Sequence, residues 1–365
     1  ARLFGIGDKI RPPEMVLLDE VHTYVGTHGA QVALLLRRWR QLARYDRADH
    51  VPHFVGLSAT LEDAERFFAE LCGLFPNKVT KVQPKAGDFE QEGMHYQLAL
   101  QGDPTSRASL LATTIQTVMF LARCMDPMDD PPSNGFIGQR TFVFTDNLDV
   151  INRLLFDLRD AEGWLPNGKK CSSWKPPLAA LRASEPNSGS KFPALADLAQ
   201  LGDALDRRKA GQNWEICEEI GHDLDDYGLL NISRTSSQDA GVDDADVVVA
   251  TASLEVGFND PTVGLIIQHK APLDMAAFIQ RKGRAGRKRR MRPWTAVVLS
   301  DFGRDRVCFQ RYDLLFRPSL SPRFLPIRNR HVLRMQATYA LMEFLGQRAR
   351  YEQTEPWRDL SMPYE

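Results

Sequence analysis

Four short segments of this chain carry residue types that could handle a nucleotide and its phosphates. The first is Leu17-Leu18-Asp19-Glu20-Val21-His22, at the end of an apolar run. Adjacent carboxylates at the C-terminal end of a strand suit a magnesium–nucleotide site. One can enter the Mg²⁺ shell, and the other can orient or deprotonate water. The same pair also occurs as a plain surface loop opening. The second segment is Gly56-Leu57-Ser58-Ala59-Thr60, whose hydroxyls can cap a helix or bond a neighbouring carboxylate. The third is Ala250-Thr251-Ala252-Ser253-Leu254-Glu255-Val256-Gly257-Phe258-Asn259. It puts hydroxyls and an acid where open α/β sheets bind ligands, although an ordinary βα loop reads the same way. The fourth is Gln280-Arg281-Lys282-Gly283-Arg284-Ala285-Gly286-Arg287. Arginines three apart share one face of a helix, and small residues between them permit close backbone approach. Such a face can present guanidinium groups to a phosphoryl group. A solvated basic run or a nucleic-acid patch is the alternative, and the ordered spacing favours function.

These segments need a scaffold that places strand ends side by side. Short apolar runs recur at 15–18, 54–57, 141–145, 247–250, 264–268 and 296–299. Each is followed by turn residues and then a helical pattern, which predicts a parallel sheet covered on both faces. Helices are predicted at 28–45, 61–72, 106–124, 148–159 and 330–347. Thr60 should cap the second and Gly73 should close it. Arg37, Arg38, Arg40 and Arg44 read as a solvated helix face. Residues 126–138 combine Pro, Asp, Asn and Gly and read as an interdomain linker. Residues 161–213 hold five Pro, five Gly and five Ser and read as an irregular insertion.

Composition narrows the class. The 365 residues are 43% hydrophobic and 25% charged, ordinary for a globular chain of two domains. Collagen-like, disordered and disulfide-scaffold readings are excluded. No run reaches the roughly 18 apolar residues of a membrane span. Five scattered cysteines without a Cys-x-x-Cys pair argue against structural zinc or an iron–sulfur cluster and predict free thiols in a cytoplasmic protein. The net charge of −1 conceals a local extreme: residues 281–292 hold eight basic and no acidic side chains.

Together the four segments resemble the superfamily 2 nucleic-acid helicases of the DEAD/DEAH type, here with a DEVH box, from about Val16 to Leu299. The resemblance implies an α/β fold of two RecA-like parallel-sheet domains plus a helical C-terminal segment. It implies ATP and Mg²⁺ as cofactors, with ATP hydrolysed at the cleft between the domains. Asp19 and Glu20 are implied as the Mg²⁺ and catalytic-water carboxylates, and His22, Ser58 and Thr60 as coupling residues. Thr251 and Thr145, the latter at the end of Phe142-Val143-Phe144-Thr145-Asp146-Asn147, are implied as nucleic-acid contacts. Glu255 and Gly257 belong to the same motif as Thr251 on the nucleotide side. Gln280 is implied as a γ-phosphate or water contact, and Arg284 and Arg287 as arginine fingers. Lys288, Arg289, Arg290 and Arg292 then remain for backbone phosphates, with salt-sensitive binding and little base preference.

Two departures from the pattern stand out. Asn259 occupies a position where the family often has Asp. No Gly-x-x-x-x-Gly-Lys-Ser/Thr occurs, and 18 residues precede Asp19, too few for that loop. The expectation is a first domain truncated at its N-terminus over 1–125, a linker at 126–138, a second domain over 139–320 and a helical extension over 321–365. Such a piece alone is expected to be inactive. The run Ser233-Arg234-Thr235-Ser236-Ser237-Gln238 with Gln268-His269-Lys270-Ala271-Pro272 further resembles large bacterial helicases of phage-defence islands, such as the DISARM helicase and its relatives in deazaguanine DNA-modification islands. Expected partners are nucleic acid, DNA before RNA, further domains of the same protein and a partner subunit of a defence complex, with no membrane. A duplex translocase that does not separate strands, and a binding scaffold with a degenerate ATPase core, stay open as alternatives.

Overall fold

The computed structural model describes residues 13–44, 52–58, 61–88, 93–102, 109–129, 131–170, 176–184, 213–224, 228–235, 244–250, 259–318, 320 and 322–352. The chain divides into two units, residues 1–89 with 320–365 and residues 90–319.

In the first unit, β1 (Met15–Leu18) pairs in parallel with β2 (His53–Gly56), and Val16 lies opposite Phe54. β1 alternates as a pleated strand must. Val16 and Leu18 turn toward a core of Val21, Ala33, Phe54, Phe67 and Leu71, while Met15 and Leu17 are exposed. The helices α1 (Gly26–Arg44) and α2 (Ala64–Cys72) complete this core. α2 starts at Ala64 rather than 61, with Asp63 in the left-handed region at φ 50°. Thr60, the expected cap, lies outside the described residues. Gly73 does close the helix at φ 67°, its N–H bonded to the Ala69 carbonyl.

Arg37, Arg38 and Arg40 of α1 do not form the solvated face that was expected. Arg37 donates to the Glu70 carbonyl at 2.5 Å, and Arg40 to those of Cys72 and Gly73 at 2.9 and 2.6 Å. Cations there satisfy the orphan carbonyls of α2 and oppose its dipole. Arg38 reaches Gln336 at 2.8 Å and Glu343 at 3.1 Å on the last helix of the chain, Arg330–Glu352. The C-terminal segment therefore folds as part of the first unit and is not a separate extension.

The second unit is a six-stranded sheet in which every pairing is parallel. Its strands are β3 (Tyr96–Gln101), β4 (Arg140–Thr145), β5 (Ile232–Thr235), β6 (Val247–Ala250), β7 (Val263–His269) and β8 (Trp294–Leu299), in the order β3-β8-β7-β4-β6-β5. Successive residues of the central strands go to opposite faces. Val143, Val249, Leu265, Ile267 and Val298 pack under α3 (Leu110–Arg123) and α4 (Leu148–Glu162). Phe142, Phe144, Val248 and Ile266 fill the other face with Ala285, while Phe278, Val297 and Leu299 form a further cluster there. Both faces are buried, as a parallel sheet requires.

Two boundaries differ from expectation. β3 pairs with β8 along its whole length, and Ile115, Val118 and Met119 of α3 join the second unit's core, so the first unit ends well before 125. Residues 126–138 are no linker but a loop of the second unit. Asp126, 2% exposed, donates its N–H to the Gly138 carbonyl at 2.8 Å and accepts from Ser133 N–H and Oγ. The stretch 161–213 is tied down at both ends, where Ala179, Ala183 and Trp214 enter the core and Trp214 N–H bonds the Arg182 carbonyl at 3.0 Å. Its residues 171–175 and 185–212 lie outside the described set. Among the described residues, no helix is long and apolar enough to cross a membrane, and the four cysteines are free thiols.

One ion pair sits wholly inside this core. Arg123 and Glu162 meet through two hydrogen bonds at 2.6 and 2.7 Å, both side chains fully buried. Arg123 also donates to Gly228, and Glu162 accepts from Leu230 N–H, so the pair ties α3, α4 and the approach to β5 together. Removing one partner of such a pair strands the other charge. Arg123→Met should lower the unfolding free energy by about 3–5 kcal/mol in urea titration, and adding Glu162→Leu should restore most of it. Recovery of nothing would show that the pair is not what the core depends on.

His269 gives this unit an acid limit. Its ring is 4% exposed and shares a 2.8 Å hydrogen bond with Thr114, and burial, with Lys270 adding, pushes its pKa from near 6.5 down to about 4. Between those values the unfolded chain binds a proton that the folded chain does not, so stability must fall as pH drops from 6.5 toward 4. Burial lowers His95 and His222 of the same unit as well, so melting temperatures across that window should fall less steeply in His269→Gln without becoming flat. An equally steep curve in the variant would assign the acid limit elsewhere.

Candidate functional site

The strand β1 delivers Asp19 and Glu20 at its C-terminal end, the position from which parallel sheets present ligand-binding groups. Glu20 takes the left-handed conformation, φ 47° and ψ 50°. That costs a non-glycine residue roughly 1–3 kcal/mol and persists only where the surroundings fix it. Here Glu20 N–H donates to Asp19 Oδ1 at 2.8 Å, and the Glu20 carbonyl accepts from Thr23 N–H and Oγ1, both at 2.8 Å. The next residue is locked to the neighbouring strand, since Val21 N–H bonds the Leu57 carbonyl and Leu57 N–H the Leu18 carbonyl, each at 2.9 Å.

His22 ties these carboxylates to the Ser-Ala-Thr segment. Its ring is 5% exposed, and Nδ1 lies 3.3 Å from Glu20 Oε2 and 3.2 Å from Ser58 Oγ. Three of the expected residues, Glu20, His22 and Ser58, thus meet at one ring nitrogen. Gly56, two residues before Ser58, packs against the Phe68 ring, where a Cβ would sit 2.4 Å away. Arg323, which the sequence reading did not single out, donates to the His22 carbonyl at 2.8 Å from the returning C-terminal segment. No local pattern marks it, because the contact spans 301 positions. Asp19 is exposed and Glu20 half-exposed. Among the described residues no group of three or more His, Cys, Asp or Glu could hold a metal ion. Two carboxylates alone fit a Mg²⁺ that keeps water and phosphate as its other ligands.

In the second unit the arginine motif does not lie on one helix face. Its helix, Met275–Lys282, ends at Gly283, and Arg284 and Arg287 follow in the loop. Gly286 turns that loop at φ +77°, with Pro293 where a Cβ would stand and its N–H on the Val263 carbonyl at 3.1 Å. Arg281 is the anchor. Its guanidinium, 4% exposed, donates to Gln268 at 2.8 Å, pairs with Asp146 at 2.6 Å and lies 5.5 Å from the Phe144 ring centroid. Gln280 is half-buried on the last turn of the same helix. Arg284 is 9% exposed, whereas Arg287 is exposed and donates to Asn259 Oδ1 at 2.6 Å. The position that departs from the family's Asp thus holds an arginine finger candidate through a neutral amide.

The expected nucleic-acid residues do not share a surface. Thr145 is 4% exposed and its hydroxyl accepts from Asn147 N–H at 3.3 Å, so it braces the turn after β4. Lys288, Arg289 and Arg290 are exposed at the opposite ends of the strands. Arg292 leaves the set, its guanidinium stacked 4.4 Å from the Phe136 ring centroid. Thr251, Glu255 and Gly257 lie outside the described residues, as does Thr60.

Residues 230–289 match the helicase conserved C-terminal domain family, and the segment runs from β5 through the arginine motif. Beyond that segment the chain is similar to helicases. The Lhr helicase/uracil glycosylase of Escherichia coli (strain K12) is 26% identical over 287 residues, covering 76% of this chain and 16% of its own length. Druantia protein DruE of Escherichia coli (strain UMEA 4076-1) is 40% identical over 79 residues, 21% of this chain and 4% of its own. The solved structure of Mycobacterium smegmatis helicase Lhr bound to ssDNA and AMP-PNP shares the fold, with a TM-score of 0.52 at 20% identity over 86% of this chain and 32% of that one. The chain therefore spans about a sixth of the length of the Lhr helicase from Escherichia coli.

The Arg281 anchor of this helicase-like unit is testable by itself. Arg281→Lys keeps the charge but cannot serve Gln268 and Asp146 with one planar fork. It should cost about 1.5–3 kcal/mol in chemical denaturation, whereas Arg287→Lys, at an exposed position, should cost less than about 0.5 kcal/mol. Equal costs at both positions would remove Arg281 from its anchoring role.

Proposed function

We propose that this chain carries the motor core of an ATP-dependent nucleic-acid helicase or translocase. The observation that supports it most directly is the convergence of Glu20, His22 and Ser58 at one imidazole nitrogen, which links the carboxylate turn to the Ser-Ala-Thr segment. A bound magnesium–ATP would supply the scissile phosphoanhydride and neutralise its charge. Asp19 would hold the metal's water shell. Glu20, fixed by its strained backbone, would take the proton of the attacking water, and the His22 contact orients that carboxylate. Arg284 and Arg287 would compensate the charge that develops on the phosphoryl oxygens, and Gln280 would position the water.

His22 does more in this reading than hold Glu20. Its ring contacts both the proton acceptor and Ser58 Oγ, so a change in charge or position at Glu20 is felt at the next strand end. That is the physical content of coupling hydrolysis to movement. DNA is favoured over RNA as the track because the Lhr structure that shares this fold holds ssDNA. The setting we assign, on the sequence resemblance to helicases of phage-defence islands, is a bacterial defence complex.

The deciding experiment uses the full-length protein. Glu20→Gln should lower nucleic-acid-stimulated ATP hydrolysis by about 10²–10⁴-fold, with nucleotide binding retained. His22→Gln should uncouple the two, keeping basal hydrolysis better than its stimulation by DNA. A fully active Glu20→Gln protein would overturn the assignment.

A further inference from the structure

The loop after the arginine motif forms a basic cradle at the edge of the second unit's sheet away from the strand ends that present motifs. Gly286 N–H bonds Val263, the first residue of β7, Tyr96 N–H at the start of β3 bonds the Pro293 carbonyl, and Arg292 N–H bonds the Phe136 carbonyl just before β4. The loop therefore runs along the N-terminal ends of β3, β8, β7 and β4. A seven-residue strand such as β7 separates this edge from the other by roughly 20 Å.

Here an open depression of about 600 Å³ is lined by Gly93, Met94 and His95 on one side and by Gly286 to Met291 with Pro293 on the other. Lys288, Arg289 and Arg290 line it beside Arg287, which the proposed function commits to the nucleotide, and no carboxylate is among its described lining residues. The turn that carries them is fixed. Met291 N–H closes onto the Lys288 carbonyl at 3.1 Å, Arg290 sits at φ +69°, and Arg292 is stacked on Phe136. The cations are thus presented without the entropy cost of ordering a loop. His95 is held in a hydrogen bond to Thr295 at 2.7 Å, and burial pushes its pKa down to about 4, so near neutral pH it adds no charge of its own.

We infer that this cradle is a second phosphate-binding surface, which holds the phosphodiester backbone of a nucleic-acid strand at the N-terminal ends of the sheet's strands. The inference rests on the proposed function for its partner and goes beyond it by giving the strand a second contact. Its open shape offers no enclosing walls for a mononucleotide, and arginine forks match phosphate oxygens two at a time. Contacts of this type hold a strand without reading its bases.

The test is a salt titration of binding between the full-length protein and a labelled single strand, compared with Lys288→Gln/Arg289→Gln/Arg290→Gly. Glycine suits the positive φ at 290, so the turn should survive, and a thermal melt checks it. Loss of three phosphate contacts should make the slope of log K against log salt shallower by about 2 and weaken low-salt binding at least about tenfold. Lys169→Gln/Lys170→Gln, on a separate exposed turn, should leave the slope unchanged. An unchanged slope in the triple variant, or an equal change in the control, overturns the inference. So does displacement of the strand by polyglutamate as readily, charge for charge, as by unlabelled strand, or a triple variant that loses inorganic triphosphate binding while its strand slope holds. No strand binding by the parent protein would instead refute the proposed function itself.

Discussion

Asp146, just past the end of β4, and Gln268 on the adjacent β7 grip the guanidinium of Arg281, and much of the second unit's chemistry hangs from that grip. A buried cation is costly unless each of its polar sides is answered. Here an ion pair, an amide oxygen and an aromatic face answer it together. Asp146 is also engaged from its other oxygen by Leu273 N–H at 2.9 Å, so the turn leading into the arginine helix is set by the same carboxylate. The end of that helix is therefore fixed relative to the sheet before Gly283 releases the chain into the loop. Arg284 and Arg287 inherit their positions from a residue that presents no charge to solvent.

The first unit uses the same economy with a histidine. His22 is buried beneath a turn whose backbone is strained at Glu20, and it is held from three directions: Glu20, Ser58 and the Arg323 guanidinium on its carbonyl. A strained residue stays strained only if its neighbours cannot relax. Arg323 arrives from the far end of the sequence together with Leu325, whose side chain enters the core and whose N–H bonds Glu70 at 3.3 Å. The C-terminal segment is thus part of the support of the carboxylate turn.

The central strands were legible in the sequence because both faces of a parallel sheet demand unbroken apolar runs. The edge strands β3 and β5 were not. Tyr96-Gln97-Leu98-Ala99-Leu100-Gln101 and Ile232-Ser233-Arg234-Thr235 carry polar residues that an edge tolerates, so neither matches the continuous template. Missing β3 displaced the domain boundary, because its pairing with β8 is what carries residues from 96 onward into the second unit. In the site, the paired carboxylates were legible as adjacent residues after a strand, whereas His22 and Ser58 entered only through the resemblance, because their contact spans 36 positions. The roles of the arginines were less legible. Spacing of three suggested a helix face, but glycines at 283 and 286 end the helix and turn the loop, and Arg281, inside the motif, proved structural rather than exposed.

Asn259 shows why a departure from a pattern deserves a physical reading. A carboxylate at that position, 2.6 Å from Arg287, would form an ion pair and spend part of the guanidinium's charge before any phosphate arrived. The amide oxygen accepts the same hydrogen bond at the same distance without that neutralisation. The arginine is consequently oriented yet keeps its full positive charge for an incoming anion. Orientation by a neutral acceptor lowers the entropy cost of engaging a phosphate, and no competing anion must be displaced first. On the proposed function, this departure from the family's pattern is a means of holding Arg287 ready for a phosphate.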